Sequence, residues 1–156
     1  MVTLKEVKSE KEFELAIDLF KEYASQIGID LTFQNFDKEL IEIEKQYSRP
    51  NGIIFIAFND TKKPIGCFGI RKFTNSIGEL KRMYLKKESR GMGIGKELLL
   101  KAIEVGKELK YKTIRLDTLS SMKPAIALYK KVGFYEIESY RFNPFEGAKY
   151  FELQLE

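Results

Sequence analysis

The sequence predicts a mixed α/β fold in which a central sheet is flanked by helices. Short apolar runs bounded by turn residues indicate strands, and apolar residues recurring every three or four positions indicate amphipathic helices. These patterns follow the order β-α-α-β-β-β-α-β-α-β-β, and short turns make the middle three strands antiparallel neighbours. With 156 residues and no repeat or linker, the chain is expected to form one domain over residues 1–156.

The N-terminal third is predicted to contain one strand and two helices. Val2–Val7 forms the strand, and Ser9 with Glu12 three residues later matches a capping box at the start of the first helix. Apolar residues then recur at helical spacing as far as Gly28, which can end the helix in a left-handed conformation. A second helix is expected over Phe36–Tyr47.

Strands and a helix follow in the middle of the chain. The three antiparallel strands are Ile53–Phe58, Ile65–Lys72 and Ile77–Leu85, separated by turn-forming residues. The apolar period then changes from two to 3.6, which indicates a helix opening near Met92. Lys112–Thr118 alternates again and is expected to return to the sheet.

The C-terminal segment is predicted to contain one helix and two strands. The helix runs from about Ser121, a suitable N-cap, to Val132, and Gly133 terminates it. Phe134–Glu138 and Lys149–Leu155 are the last strands.

The composition excludes several chemistries. The chain has no His and one Cys, so it cannot supply a Ser-His-Asp or Cys-His nucleophile, a His-ligated metal site or an internal disulfide. No metal is therefore expected, and Cys67 is expected to be a small core residue. The longest apolar run, Ile53–Phe58, is too short to span a membrane, and no apolar segment follows Met1. We therefore expect a cytoplasmic protein without a membrane partner.

Positive charge is concentrated in the middle of the chain. Residues 81–131 contain 14 basic and 5 acidic side chains, whereas the flanking segments at both ends are acidic. This favours a locally held anionic ligand, although solvated basic helix faces would give the same pattern. Interleaved glutamates argue against a continuous nucleic-acid surface, so no nucleic-acid partner is expected.

A glycine-rich loop joins the third strand of the meander to the next helix. Its sequence, Arg90-Gly91-Met92-Gly93-Ile94-Gly95-Lys96, brings several backbone N–H groups together at a helix N-terminus, which suits an anion. The glycine spacing fits neither the dinucleotide fingerprint G-x-G-x-x-G nor the P-loop, which needs four residues between its glycines and Ser or Thr after Lys.

The loop resembles the R/Q-x-x-G-x-G/A pyrophosphate motif of the GNAT superfamily of N-acetyltransferases. Two further blocks in the family's order support the resemblance: Ala125–Phe134 resembles A-x-x-L-Y-x-x-x-G-F, and Glu79–Leu85 resembles the fourth strand. Leu116–Thr118 and Asn143-Pro144 are similar to a common bacterial subgroup. The resemblance is close over about residues 77–155, and the N-terminal half agrees in element order only.

The resemblance implies a mostly antiparallel sheet whose fourth and fifth strands splay apart to admit acetyl-CoA. Fourth-strand backbone would pair with the pantetheine arm, and the loop amides would hold the pyrophosphate. The implied coenzyme-binding residues are Met83, Tyr84, Leu85, Arg90, Gly91, Met92, Gly93, Ile94, Gly95 and Lys96.

The resemblance also implies catalytic roles for two side chains. Tyr129 matches the tyrosine that protonates the coenzyme sulfur, and a core aromatic residue is the less favoured alternative. Glu79 matches a carboxylate that removes the amine proton through water, although it could be an ordinary exposed strand residue. Strand amides near Met83 would bond the thioester carbonyl. Met122 departs from the family pattern, since many relatives have an Asn there that contacts the coenzyme arm.

The expected activity is acetyl-CoA-dependent N-acetylation of a primary amine of a small molecule or peptide, by direct transfer in a ternary complex. A non-catalytic acyl-CoA sensor and a basic nucleic-acid module are the alternatives, and a monomer or a homodimer is compatible with the family. The acceptor would contact the first two helices, residues 28–34 and residues 140–147, where acidic groups would suit a cationic amine. Those segments contain Tyr23, Asp30, Phe33, Tyr140, Asn143 and Glu146.

Overall fold

A computed structural model describes residues 2–28 and 35–155, and within them a seven-stranded sheet has the order β1-β2-β3-β4-β5-β7-β6. The strands are β1 (Thr3–Glu6), β2 (Ile53–Phe58), β3 (Pro64–Lys72), β4 (Ile77–Leu85), β5 (Thr113–Leu119), β6 (Tyr135–Ile137) and β7 (Ala148–Gln154). The helices are α1 (Glu10–Ile27), α2 (Phe36–Ile41), α3 (Ile43–Gln46), α4 (Ile94–Glu108) and α5 (Lys123–Lys131). Neighbouring strands pair antiparallel except β4 and β5, which are parallel. The predicted mixed, mostly antiparallel sheet is confirmed.

Local signals at the ends of α1 are confirmed. The Ser9 Oγ accepts from the Glu12 amide at 3.2 Å, and the Glu12 Oε1 accepts from the Ser9 amide at 3.0 Å. Gly28 adopts a left-handed conformation with φ of 69° at the other end. None of the helices in the described ranges is long and apolar enough to cross a membrane.

Three helix boundaries differ from the prediction. The expected helix over 36–47 is divided at Glu42, whose φ of −102° and ψ of 22° leave the helical region. The three- and four-residue spacing of buried side chains continues across this break, so periodicity cannot reveal it. α4 begins at Ile94 after a left-handed Gly93, and α5 has Met122 rather than Ser121 at its N-cap position, without a side-chain cap.

The sheet separates two apolar layers. On one side, which we call the α4 face, α4 and α5 pack over side chains such as Phe68 and Phe151. On the other side, the α1 face, α1 and α3 cover a cluster that includes Phe20, Tyr47 and Cys67. Cys67 is fully buried, which confirms it as a core residue.

β4 and β5 are neighbours over only part of their length. Their pairing joins Ile77–Glu79 to Thr113–Arg115, and the rest of β4, residues 80–85, has no strand partner on that side among the described residues. The predicted splay is therefore confirmed, and we call the opening between the two strands the fork.

A β-bulge lies on the β4 side of the fork. The β3–β4 register changes between Cys67 opposite Tyr84 and Gly69 opposite Lys81, so two β4 residues, 82 and 83, oppose one residue of β3. Arg82 has a left-handed φ of 57°, and its carbonyl accepts from the Cys67 thiol at 3.4 Å. A bulge of this kind removes a backbone group from the ladder and turns it toward another partner.

Candidate active site

The glycine loop connects the fork to α4. A short 3-10 turn, Lys87–Ser89, follows β4, and the Arg90 Nε then donates to the Leu85 carbonyl at 2.9 Å. Gly91 and Gly93 have φ of 83° and 82°, which L side chains rarely adopt. Nothing lies within 4 Å of a Cβ built at either position, so the backbone conformation, not lack of space, requires glycine there.

The loop presents unpaired backbone donors at the N-terminus of α4. Glu97 is the first residue whose amide reaches a helical acceptor, the Gly93 carbonyl at 3.2 Å. Within residues 2–28 and 35–155, no backbone carbonyl accepts from the amides of residues 91–96. Together with the partial positive charge of the helix end, these amides form a site suited to a phosphate group.

The three predicted β4 residues lie along one strand edge that leads to this loop. Met83 follows Arg82 in the bulge, and the hydroxyl of the buried Tyr84 donates to the Glu22 Oε2 at 2.5 Å. Leu85 already accepts the Arg90 side chain through its carbonyl. The β4 edge beside the fork has no strand partner over residues 80–85 among the described residues, so its outward-facing backbone groups can pair with an extended ligand.

Tyr129 packs on the α4 face with its hydroxyl unpaired. Its ring centroid lies 5.7 Å from that of Phe134 and 6.3 Å from that of Phe151, and the residue is 7% exposed. No hydrogen-bond partner for the hydroxyl occurs in the described part of the chain. Burial raises the pKa of Tyr129, so the hydroxyl keeps its proton and can act as a donor.

Glu79 lies at the last β4 position that pairs with β5, on the α1 face of the fork. It is 1% exposed, so the interpretation as an ordinary exposed strand residue is wrong. The Arg71 Nε lies 3.5 Å from Oε1, while the Lys81 Nζ at 3.8 Å and the Arg141 Nη2 contact Oε2. The Tyr140 hydroxyl donates to Oε2 at 3.1 Å.

Electrostatics keep the Glu79 carboxyl ionised. Burial alone would raise its pKa, but the charges of Lys81, Arg141 and Arg71 outweigh burial and hold the pKa below its ordinary value. The opposite balance applies to Lys81, which is 2% exposed, because burial lowers its pKa to about 7. Lys81 therefore changes charge near neutral pH.

A second buried carboxylate, Glu39 of α2, was not indicated by any local pattern. The Arg82 Nη2 and Nε donate to its two oxygens at 2.6 and 3.2 Å, and the Tyr47 hydroxyl donates to Oε2 at 2.7 Å. Gly69 leaves room for the Tyr47 ring, because a Cβ there would lie 2.7 Å from ring carbon Cε1. Lys81 and Arg82 are thus buried, and the interpretation of the basic segment as a solvated face is wrong for these two residues.

Of the residues predicted to contact the acceptor, Tyr140 is the one that contacts Glu79 among those the structure describes. The Tyr23 ring lies edge-on to Tyr84 at 6.2 Å. Asn143 instead accepts from the Phe145 amide at 3.0 Å. Asp30 and Phe33 lie outside the described residues, and the remaining residue of that list, Glu146, is exposed.

Met122, which departs from the family pattern, contacts a residue four positions earlier in the chain. The Thr118 hydroxyl donates to the Met122 Sδ at 3.3 Å. In the described ranges, no group of three or more Cys, Asp or Glu side chains is arranged to hold a metal ion.

A splayed β4–β5 pair, a bulge on β4 and a glycine loop at a helix N-terminus together define the acyltransferase class that the motifs indicated. The sequence matches the acetyltransferase (GNAT) family over residues 15–134. It is 34% identical to the uncharacterized N-acetyltransferase C1271.07c of Schizosaccharomyces pombe, over 99% of this chain and 95% of that protein.

Solved structures agree with this match. A GNAT-family acetyltransferase from Staphylococcus aureus Mu50 is 25% identical with a TM-score of 0.82, covering 100% of both chains. A putative streptothricin acetyltransferase from Bacillus anthracis, solved in complex with acetyl coenzyme A, is 27% identical with a TM-score of 0.61, covering 71% of this chain and 66% of that one. The chain belongs to the GNAT family of acetyltransferases and is therefore an acyltransferase. The acyl donor of this family is acetyl-CoA.

Proposed function

We propose that this protein transfers the acetyl group of acetyl-CoA to the primary amine of a small molecule or peptide, by direct transfer while both substrates are bound. The observation that carries the proposal is the continuous path from the bulged, unpaired edge of β4 to the free amides of residues 91–96. An extended arm ending in phosphates matches this path, because the strand edge offers backbone pairing and the helix N-terminus offers anion binding.

In this proposal the coenzyme is bound mainly by backbone. The amides of residues 91–96 hold the pyrophosphate, with Arg90 beside them, and the edge formed by Met83, Tyr84 and Leu85 pairs with the pantetheine arm. Backbone recognition of this kind accounts for the side chains of the loop: Met92 is largely exposed and Ile94 is buried in the α4-face core, so neither is suited to bind phosphate through its side chain.

The chemistry requires one new C–N bond and one broken C–S bond. The neutral amine attacks the thioester carbonyl carbon while an amide at the bulge, near Met83, stabilises the carbonyl oxygen as charge develops there. The C–S bond then breaks, Tyr129 gives its hydroxyl proton to the departing sulfur, and the tyrosinate regains a proton from solvent. Glu79 receives the amine proton through water and, because its pKa is low, passes it on to solvent.

The test is a thiol-release assay with acetyl-CoA against a broad panel of amines and peptides, together with calorimetric titration of coenzyme binding. Tyr129→Phe should bind coenzyme normally and lose about 10²-fold or more in kcat, the usual size of a general-acid contribution. Tyr135→Phe, which removes a hydroxyl on the exposed edge strand β6, is the matched control and should retain activity.

Two results would contradict the proposal. If the protein does not bind acetyl-CoA, the proposed acetyl transfer is refuted. Binding without turnover on any amine would instead favour a non-catalytic acyl-CoA sensor.

A further inference from the structure

Three basic side chains lie against Glu79 on the α1 face of the fork. They come from Arg71, Lys81 and Arg141 and contact this one carboxylate. Other charged groups on this face include Arg82, Arg115, Glu39, Asp117 and Glu152, and Glu22 of α1 accepts from Tyr84 farther along β4. Arg71 and Arg141 remain beside Glu79 when Lys81, whose pKa is about 7, loses its charge.

The carboxylates of this region are already engaged. Glu39 is held by Arg82 and Tyr47, Glu79 by its three cations, and the Glu152 Oε1 accepts from the Arg115 Nε at 2.8 Å. Asp117 acts electrostatically on Lys81. An acceptor carrying several positive charges would meet Arg71 and Arg141 beside Glu79, which is electrostatically unfavourable.

Arg141 retains an unused donor. Its Nη2 contacts Glu79, but its Nε is buried and has no hydrogen-bond partner in the part of the chain that the structure describes. The guanidinium lies 5.5 Å from the centre of the Tyr140 ring, and the Arg141 carbonyl accepts from the Tyr150 hydroxyl at 3.2 Å. A buried N–H without an acceptor is destabilising, and a ligand that supplies an acceptor removes this cost.

The position of Arg141 indicates which ligand would supply that acceptor. Glu79 marks the end of β4–β5 pairing, and Lys81 is the next residue on the same face, directly before the bulge. A planar guanidinium with a free N–H matches a carboxylate, and the amino group beside that carboxylate would lie near Glu79, the proposed acceptor of its proton. Amine and carboxylate are separated by one carbon in an α-amino acid, which suits such closely spaced partners.

We infer that the acceptor is an amine that carries a carboxylate next to its amino group, bound through Arg141 with Lys81 and Arg71 beside it. This inference rests on the proposed function, since it names the substrate class of the same reaction. Such an acceptor carries a negative charge beside its amino group, whereas the acceptor of a polyamine acetyltransferase would bring only positive charge to the fork.

The experiment compares amines that differ only in the carboxylate. Thiol release from acetyl-CoA is measured with tyrosine and tyramine, histidine and histamine, arginine and agmatine, and lysine and cadaverine, with spermidine as the polycation. For at least one pair kcat/KM should be about 10- to 100-fold higher for the amino acid, as expected for a charge-assisted hydrogen bond. Equal or higher kcat/KM for every decarboxylated amine, or for spermidine, would overturn the inference while leaving the acetyltransferase proposal intact. Acetyl-CoA binding without turnover on any amine would overturn both.

Arg141 is then tested directly. Arg141→Met should raise KM for the preferred amino acid at least about 10-fold, with KM for acetyl-CoA and activity on the decarboxylated partner little changed. Arg49→Met, which removes an exposed arginine paired with Glu6 and Glu108, is the matched control. Arg141→Lys keeps the charge if the first variant folds poorly, and it should show the same selective rise in KM. An equal loss with both acceptors in these variants would show that Arg141 only supports the fold.

Discussion

Replacing Lys81 by Met should make the stability of the protein less dependent on pH. Lys81 is 2% exposed, and burial lowers its pKa from 10.5 to about 7. Between these two values the unfolded chain binds a proton that the folded chain does not, so the stability contributed by this group rises with pH. Below pH 7 both states are protonated and the full cost of burying the charge is present.

The size of the effect follows from the two pKa values. Each unit of pKa difference corresponds to about 1.4 kcal/mol, and integrating from pH 6.5 to 9.5 gives a gain of about 3 kcal/mol for the wild-type chain. Lys81→Met lacks this gain. The free energy of unfolding of Lys81→Met, relative to that of the wild type, should therefore fall by about 3 kcal/mol as the pH rises from 6.5 to 9.5. Loss of the contact with Glu79 adds a difference that is the same at both pH values and does not alter this change.

Urea unfolding at the two pH values measures the difference. Lys63→Met, at an exposed loop position, is the control and should change stability little and equally at both pH values. If the difference between Lys81→Met and wild type were the same at pH 6.5 and 9.5, Lys81 would not be held with a lowered pKa, and the reasoning about its burial would be wrong.

Three further substitutions test the loop, the buried ion pair and the cap. Gly93→Ala should weaken coenzyme binding in calorimetry, because the φ of 82° at this position strains any residue with a side chain. The control is Gly28→Ala, with φ of 69° at the end of α1, which should cost similar stability but leave coenzyme binding unchanged. Equal coenzyme binding by both variants would contradict the role of the loop. Glu39→Gln should lower the free energy of unfolding by about 3–5 kcal/mol, since it leaves Arg82 buried without a counter-charge, and a loss under 1 kcal/mol in urea unfolding would refute this. Ser9→Ala should cost about 1 kcal/mol in the same assay, and no change would show that the capping box is not stabilising.

Elements defined by local patterns were predictable from the sequence. Ile53–Phe58 and Ile77–Leu85 match their strands end for end, because turn residues bound each apolar run. The capping box of α1 is also a short-range signal. The conformation of the glycine loop was predictable because Gly91 and Gly93 take left-handed backbone angles, which glycine adopts most readily.

Features that depend on distant partners were not predictable. Arg82 and Glu39 are 43 residues apart, and neither carries a local sign that it is buried. Glu79 was open to interpretation as an exposed strand residue, since the residues that enclose it come from β3, β4 and the segment before β7. Only the assembled sheet brings these charges together.

The bulge on β4 also limits how the chain can be recombined with its relatives. Arg82 supplies the left-handed backbone position of the bulge, and its side chain is held by Glu39 of α2. The strand that borders the fork is thus tethered to the N-terminal half, where the sequence carries no family motif. A chimera that took residues 1–50 from a relative without an acidic residue at this position would leave Arg82 buried without the counter-charge of Glu39. Exchanging the two halves between relatives therefore requires that both partners of this ion pair be kept.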